Sequence, residues 1–205
     1  MKTKFITFEG SEGCGKSTQS RMLADYLKEK GYGVVYLREP GATKVSEKIR
    51  GVLLDKKNSA MSLECEMLLY MAARAQIVAE VIKPVLKKGK VVICDRFLDS
   101  TLAYQGYGLG MDIALIKNIG KFVTQGIKPG LTILLDVPLK QGLKHRDGNK
   151  DRIEQRPLSY HARVRNGYFK LAAQESNRIK IIKIEKDKRA TQNKIRKLTE
   201  VFLSK

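Results

Sequence analysis

Short apolar runs alternate along this chain with longer stretches in which apolar residues return every three or four positions. Five of the runs read as buried strands: Phe5 to Phe8, Gly33-Val34-Val35-Tyr36-Leu37, Val91-Val92-Ile93-Cys94, Leu131-Thr132-Ile133-Leu134-Leu135 and Lys180-Ile181-Ile182-Lys183-Ile184. Their near-continuous apolar character suits strands covered on both faces. Helical signals occupy residues 17–30, 44–54, 62–88, 97–105, 112–125, 138–146, 157–177 and 188–204. In the first of these, Met22, Leu23, Tyr26 and Leu27 have the spacing of one helix face. Strands that alternate with helices predict an α/β fold: a five-stranded parallel sheet flanked by helices on both faces. No repeat, low-complexity tract or linker interrupts the pattern, so residues 1–205 read as one domain.

Polar residues follow the carboxyl ends of four of the strands: Glu9, Arg38-Glu39, Asp95-Arg96 and Asp136. Ligands of open α/β sheets bind outside those ends, so these residues, distant in sequence, are expected around one crevice. The turn after the first strand, Gly10-Ser11-Glu12-Gly13-Cys14-Gly15-Lys16-Ser17, matches the phosphate-binding pattern G-x-x-x-x-G-K-[ST]. Its glycines let successive N–H groups turn inward on an anion, and the helix that continues through Thr18 adds its positive end. Lys16 is expected to reach the β- and γ-phosphates and the Ser17 hydroxyl to ligate Mg²⁺.

A carboxylate at a strand end beside this loop can hold the metal or its waters. Asp95 and Asp136 both qualify, and Asp95 is favoured because Arg96, a bidentate phosphate ligand by chemistry, follows it. Tyr70 and Arg74 stand four apart on one helix face. That spacing suits a ring stacked on a base beside an arginine, and equally a core tyrosine with an arginine reaching for solvent. Ser100, Thr101, Tyr104 and Gln105 offer hydroxyl and amide groups that could read a nucleoside, or simply form a polar helix face before Gly106-Tyr107-Gly108. The charged stretch from His145 to Glu154 reads either as a solvated loop or as one whose arginines swing over a transferring phosphate.

Composition narrows the partners. The 205 residues are 42% hydrophobic, as in a globular chain, and no apolar run reaches the length of a membrane span. Met1-Lys2-Thr3-Lys4 leads directly into the first strand, which predicts no signal peptide. Cys14, Cys65 and Cys94 fit no disulfide or zinc framework, so a reduced, cytoplasmic setting is expected. The net charge of +19 is spread along the chain without long like-charge blocks or a recognition motif. It suits anionic small substrates better than a specific nucleic-acid partner.

Taken together, the motifs resemble bacterial thymidylate kinases over nearly the whole length. The matching stretches are Phe8-Glu9-Gly10, the phosphate loop, Arg38-Glu39-Pro40-Gly41, Ala73-Arg74-Ala75-Gln76, Asp95-Arg96-Phe97, Ser100-Thr101, Ala103-Tyr104-Gln105-Gly106, Asp136-Val137 with Gly142-Leu143, and Asp151-Arg152-Ile153-Glu154. The resemblance implies a P-loop nucleoside monophosphate kinase fold and transfer of the γ-phosphoryl group of ATP to dTMP with Mg²⁺, usually in a homodimer. It implies ATP phosphates on Gly10, Ser11, Glu12, Gly13, Cys14, Gly15, Lys16, Ser17 and Thr18. Around dTMP it implies Glu9, Arg38, Glu39, Pro40, Tyr70, Arg74, Arg96, Ser100, Thr101, Tyr104 and Gln105. Ser17 and Asp95 would serve the metal, with Glu12 and Glu154 as further candidates, and Lys16, Asp95, Arg96, Arg146 and Arg152 would carry catalysis.

Some related loops carry an arginine at the position of Gly13. Lys16 is the only cation in this one, so Arg146 and Arg152, in a lid at about residues 146–154, are expected to supply the missing charge, with Arg156 a further candidate. Three positions depart from the family pattern: Ala42 for glycine, Tyr70 for phenylalanine and Leu109 for arginine. The alternatives are another P-loop kinase, acting on dUMP or CMP, and a P-loop ATPase switch. Asn149-Lys150-Asp151-Arg152 fails the guanine signature of such switches at its last position.

Overall fold

The computed structural model describes residues 3–144 and 151–204. All five expected strands form: β1 (Phe5–Glu9), β2 (Val34–Arg38), β3 (Val91–Asp95), β4 (Leu131–Asp136) and β5 (Ile179–Lys183). They pair in parallel in the order β2-β3-β1-β4-β5. The helices between them are α1 (Lys16–Glu29), α2 (Lys44–Leu54), α3 (Leu63–Ile77), α4 (Lys83–Lys87), α5 (Leu98–Thr101), α6 (Ile113–Val123), α7 (Leu139–Lys144), α8 (Leu158–Gln174) and α9 (Lys188–Leu203).

Alternate residues of each strand feed opposite faces of the sheet. Ile6, Phe8, Val91, Ile93, Ile133 and Leu135 pack with Leu23 and Leu27 of α1 and Ile195 of α9. Phe5, Val92 and Cys94 face the other way, onto Ile77, Val78 and Phe97. Leu134 and Ile179 also face that way and join Met71, Tyr168 and Leu171 of α3 and α8. Both faces are thus covered, and the apolar runs need no polar face.

Two expected helices are interrupted. The stretch read as 62–88 is α3, a π-helical turn (Val78–Ile82) and α4. Pro84 has no N–H to donate and its ring crowds the carbonyl four residues back, so the hydrogen-bond ladder widens there. After α5 the chain also becomes π-helical, over Leu102–Gly108, a form that concentrates at functional sites. The helix expected over 138–146 is seen as α7, and Arg146 lies outside the described residues.

One polar cluster is buried on the second face. The Thr7 and Thr132 hydroxyls share a 2.8 Å hydrogen bond between β1 and β4. Arg178 donates to Asp99 at 2.7 and 3.0 Å, to Thr132 at 2.6 Å and to Glu175 at 2.9 Å. Asp99 opens α5, so this pair fixes the start of that helix against the sheet. Removing one member of a buried pair leaves the other charge uncompensated, at about 3 kcal/mol or more. Arg178→Ala should lower the unfolding free energy by about that much in urea titrations. A loss of less than about 1 kcal/mol would show that the pair does not anchor α5.

Candidate active site

The parallel register places the ends of β2, β3 and β1 side by side: Arg38 and Phe8 both stand opposite Asp95. Above these ends opens a cleft of about 840 Å³. Its walls include Lys16, Ser17 and Thr18 on one side and Tyr70, Arg74, Arg96, Ser100, Thr101, Tyr104 and Gln105 on the other. Glu12, Gly13, Gly15, Arg38, Glu39, Pro40, Asp95 and Glu154 complete the expected set along it.

The loop before α1 is built for an anion. No side chain caps α1 and no acid stands in its first turn, so its leading N–H groups are left for a ligand. Lys16 is buried with its Nζ donating to the Ser11 carbonyl at 2.7 Å and to the Cys14 thiol at 3.5 Å. The Ser17 hydroxyl donates to Asp95 at 2.5 Å. Asp136 is instead held by Arg165 through two bonds, at 2.7 and 2.9 Å. This separates the two carboxylates that the sequence left in competition. The oxygens of Ser17 and Asp95 suit a hard divalent cation completed by phosphates and water. Among the described residues no group of three or more His, Cys, Asp and Glu side chains forms a metal cage.

Gly13 explains the missing loop arginine. A Cβ there would come within 1.9 Å of the Gly142 carbonyl oxygen, and one on Gly142 within 2.6 Å of the Glu12 carbonyl oxygen. The backbone of α7 rests directly on the phosphate loop, and the space for a side chain is taken.

Across the cleft, Arg96 has a left-handed φ of 73°, uncommon for a side chain of its size. The turn sends its guanidinium away from β3 toward the loop. One nitrogen donates to the Gly10 carbonyl, Ser100 and Tyr168 at 3.1–3.2 Å. The other donates to Glu12 at 2.5 Å and Tyr104 at 3.0 Å. The guanidinium also lies 4.8 Å from the centre of the Tyr104 ring. Burial disfavours its charge, but Glu12, Tyr104 and Tyr168 more than offset this, and its pKa stands well above the ordinary arginine range. Burial raises the hydroxyl pKa of Tyr70, Tyr104 and Tyr168, keeping each a neutral donor.

Arg74 is fully buried. It donates to Glu39 at 2.8 Å, to Thr101 at 3.0 Å and to the Phe97 carbonyl at 3.0 Å, so it braces the wall as well as lining it. Burial raises the pKa of Glu39 despite Arg74, and Glu39 Oε1 has no hydrogen-bond partner among the described residues. Ala42, the departure in the β2–α2 loop, adopts φ 67°. Glu47 holds that turn by accepting from the Ala42 N–H at 2.8 Å and from Arg38 at 3.1 Å.

Several expected residues do not line the cleft itself. Glu9, Gly10, Ser11 and Cys14 are buried beside the residues that line it. The Glu9 carboxylate accepts from the Phe97 N–H at 2.8 Å, Ser100 at 2.6 Å and Tyr168 at 2.9 Å. Arg152 does not project over the cleft. Its guanidinium lies 2.6 Å from buried Glu66 and donates to the Leu53 carbonyl at 3.0 Å. Sequence reasoning missed Arg21 and Arg50 on the cleft wall and Tyr168 beneath Arg96. Tyr168 carries no signal that separates it from a core tyrosine of α8. Arg50 could have been found from its place after the Arg38-Glu39-Pro40 loop, whose Pro40 carbonyl accepts from it at 2.9 Å.

Burial, reinforced by Asp99, pushes the Glu9 carboxyl from about 4.5 up to about 7. Folded Glu9 therefore keeps a proton that the unfolded chain releases above pH 4.5. Its contribution to stability is complete below that pH and is lost as pH rises through about 7. Glu9→Gln cannot titrate. Its stability relative to wild type should improve by about 2–3 kcal/mol between pH 4.5 and pH 8 in paired denaturation curves. A difference independent of pH would contradict the raised pKa.

The chain is similar to known proteins along nearly all of this architecture. The family model described as thymidylate kinase matches residues 8–195. A thymidylate kinase of Geotalea daltonii is 49% identical over 187 residues, covering 87% of each chain. One of Thermoanaerobacter sp. strain X514 is 44% identical over 195 residues, covering 91% of this chain and 96% of its own. The crystal structure of thymidylate kinase from Ehrlichia chaffeensis superposes with a TM-score of 0.81 at 35% identity, over 98% of this chain and all of that one. With a phosphate loop facing an arginine-lined wall across one cleft, and with these relatives, the chain belongs to the thymidylate kinase family.

Proposed function

We propose that the cleft transfers the γ-phosphoryl group of ATP to dTMP, giving dTDP and ADP, with Mg²⁺ at Ser17 and Asp95. The observation that carries this assignment is the opposition of two anion-binding walls in one cavity: the uncapped α1 terminus with Lys16, and Arg96 with its tyrosines. Phosphoryl transfer asks a protein for positioning and charge neutralisation more than for covalent chemistry.

Lys16, already buried beside the loop backbone, would move from the Ser11 carbonyl to the β- and γ-phosphate oxygens. Arg96 would present the dTMP phosphate in line with them. Tyr70 and Arg74 would flank the thymine with Ser100, Thr101 and Gln105. Tyr104 would crowd the sugar 2′ position and disfavour a ribonucleotide. Glu9 would act from below by holding Ser100 and Tyr168, and Arg38, Glu39 and Pro40 would form the far rim. Bound metal would neutralise charge developing between the β- and γ-phosphates. Glu12 and Glu154 line the same cleft and would be further acids for its waters. The charge absent at Gly13 would come from Arg152, with Arg146 outside the described residues.

Family membership favours dTMP over dUMP or CMP as acceptor, and favours a kinase over an ATPase switch. A homodimer is the assembly proposed. Val45 and Val52 of α2, Leu68 of α3, and Leu115 and Phe122 of α6 are exposed on helices that adjoin through α3, and Phe122 is 83% exposed. Such side chains suit burial against a second copy. The cytoplasm is the proposed compartment, in keeping with three free thiols. Among the described residues no helix is long and apolar enough to cross a membrane.

With ATP and Mg²⁺, the purified chain should phosphorylate dTMP faster than dUMP, CMP or AMP, measured by coupled ADP release. Arg96→Ala should lower kcat by about 100-fold to 1,000-fold with thermal unfolding retained. A folded Arg96→Ala enzyme with ordinary turnover would remove Arg96 from the acceptor site.

A further inference from the structure

Glu66 on α3 belongs to no motif and does not line the cleft, yet its side chain is wholly buried and both carboxylate oxygens are engaged. One oxygen accepts from the Gln105 amide at 2.9 Å. The other accepts from Arg156 at 2.6 Å and lies 2.6 Å from Arg152. One negative charge thus serves two guanidinium groups, and a single oxygen is shared between them.

The two arginines are held unequally. Arg156 also donates to the Tyr160 hydroxyl at 3.0 Å and lies 4.7 Å from the centre of that ring. Tyr160 in turn donates to the Tyr104 carbonyl at 3.3 Å. Arg152 has, besides Glu66, the Leu53 carbonyl and a long contact to the Met61 sulfur at 3.6 Å. Its neighbours Asp151 and Ile153 both line the cleft. A buried carboxylate cannot cheaply be left alone, so one guanidinium must remain. Because two are present, the other can leave.

We propose that Glu66 is a positioning residue for phosphoryl transfer: Arg156 is its permanent counter-ion, and Arg152 is held there in reserve, free to exchange the carboxylate for a phosphate of the nucleotide. Through Gln105 the same carboxylate ties this exchange to the acceptor wall. The inference rests on the kinase assignment above and adds to it a residue that does not line the cleft. It accounts for Arg152 facing away from the cleft while the phosphate loop lacks a second cation.

The test is a mutant cycle read by kcat and by the KM values for ATP and dTMP. Arg156→Gln leaves Arg152 as the sole counter-ion of Glu66 and pins it there, so kcat should fall about tenfold, although Arg156 does not line the cleft. Adding Glu66→Gln removes the charge that pins Arg152, and kcat should return to within about threefold of wild type. Arg156→Lys keeps a positive charge beside Glu66 and should remain close to wild type. It decides the matter if the double variant does not fold.

A double variant that folds but is no faster than Arg156→Gln, or an Arg156→Lys enzyme as slow as Arg156→Gln, would overturn the proposal. So would an Arg156→Gln enzyme with unchanged kcat. Failure of the wild-type protein to phosphorylate dTMP would instead sink the kinase assignment, so the two failures are distinguishable.

Discussion

The Arg96 guanidinium is the contact on which the site depends. It binds the phosphate-loop carbonyl of Gly10, the loop acid Glu12, Ser100 of α5, Tyr104 of the π-helical turn and Tyr168 of α8. These groups come from four separate elements, and direct bonds among them, Ser100 to Tyr168 at 2.8 Å and Tyr104 to Glu12 at 2.7 Å, close the network around it. To serve them, the chain holds a non-glycine residue in the left-handed region immediately after β3. The cost of that backbone is local, of the order of 1 kcal/mol, and the contacts it permits are many. Because the same nitrogens can bind phosphate, the cross-link that organises the cleft is also, under the proposed function, the group offered to the substrate. On that proposal an incoming phosphate would compete with Glu12 for Arg96, so that binding and local rearrangement would be one event.

Among the described residues, charges buried near the cleft are neutralised by pairing or by proton retention. Arg74 meets Glu39, Arg178 meets Asp99, Glu66 is shared by two arginines, and Glu9 keeps its proton up to about pH 7. Such groups are poor sources of net stability, since desolvation consumes most of their attraction. Their value lies in fixing where α3, α5 and α8 stand relative to the strand ends. The apolar layers supply the cohesion, and the polar layer under the cleft sets the register of the walls.

The sheet was legible because burial on both faces writes strands as apolar runs, and the phosphate loop because its glycines have a steric cause. The cleft wall followed from strand ends, as with Arg38, Asp95 and Arg96. What escaped was contact made at long range by residues with ordinary local context. Tyr168 sits at a helical core spacing and nothing nearby marks its hydroxyl. Glu66 reads as one more acid in the first turn of α3, favourable to the helix dipole and otherwise silent. Arg152 was recognised as important from its motif, but its orientation depends on Glu66, whose burial no local pattern records. The break at Pro84 was visible as chemistry, yet helical periodicity on both sides concealed it.

The seating of Gly142 on Gly13 has an evolutionary corollary. A mutation that places a cation inside the loop collides with a helix backbone, and a mutation that withdraws that helix leaves the loop without a neighbour. Either change alone passes through a damaged enzyme. The two ways of charging such a loop are therefore separated by a valley in sequence space, and a lineage built like this one is expected to adjust the segment after α7 sooner than the loop itself.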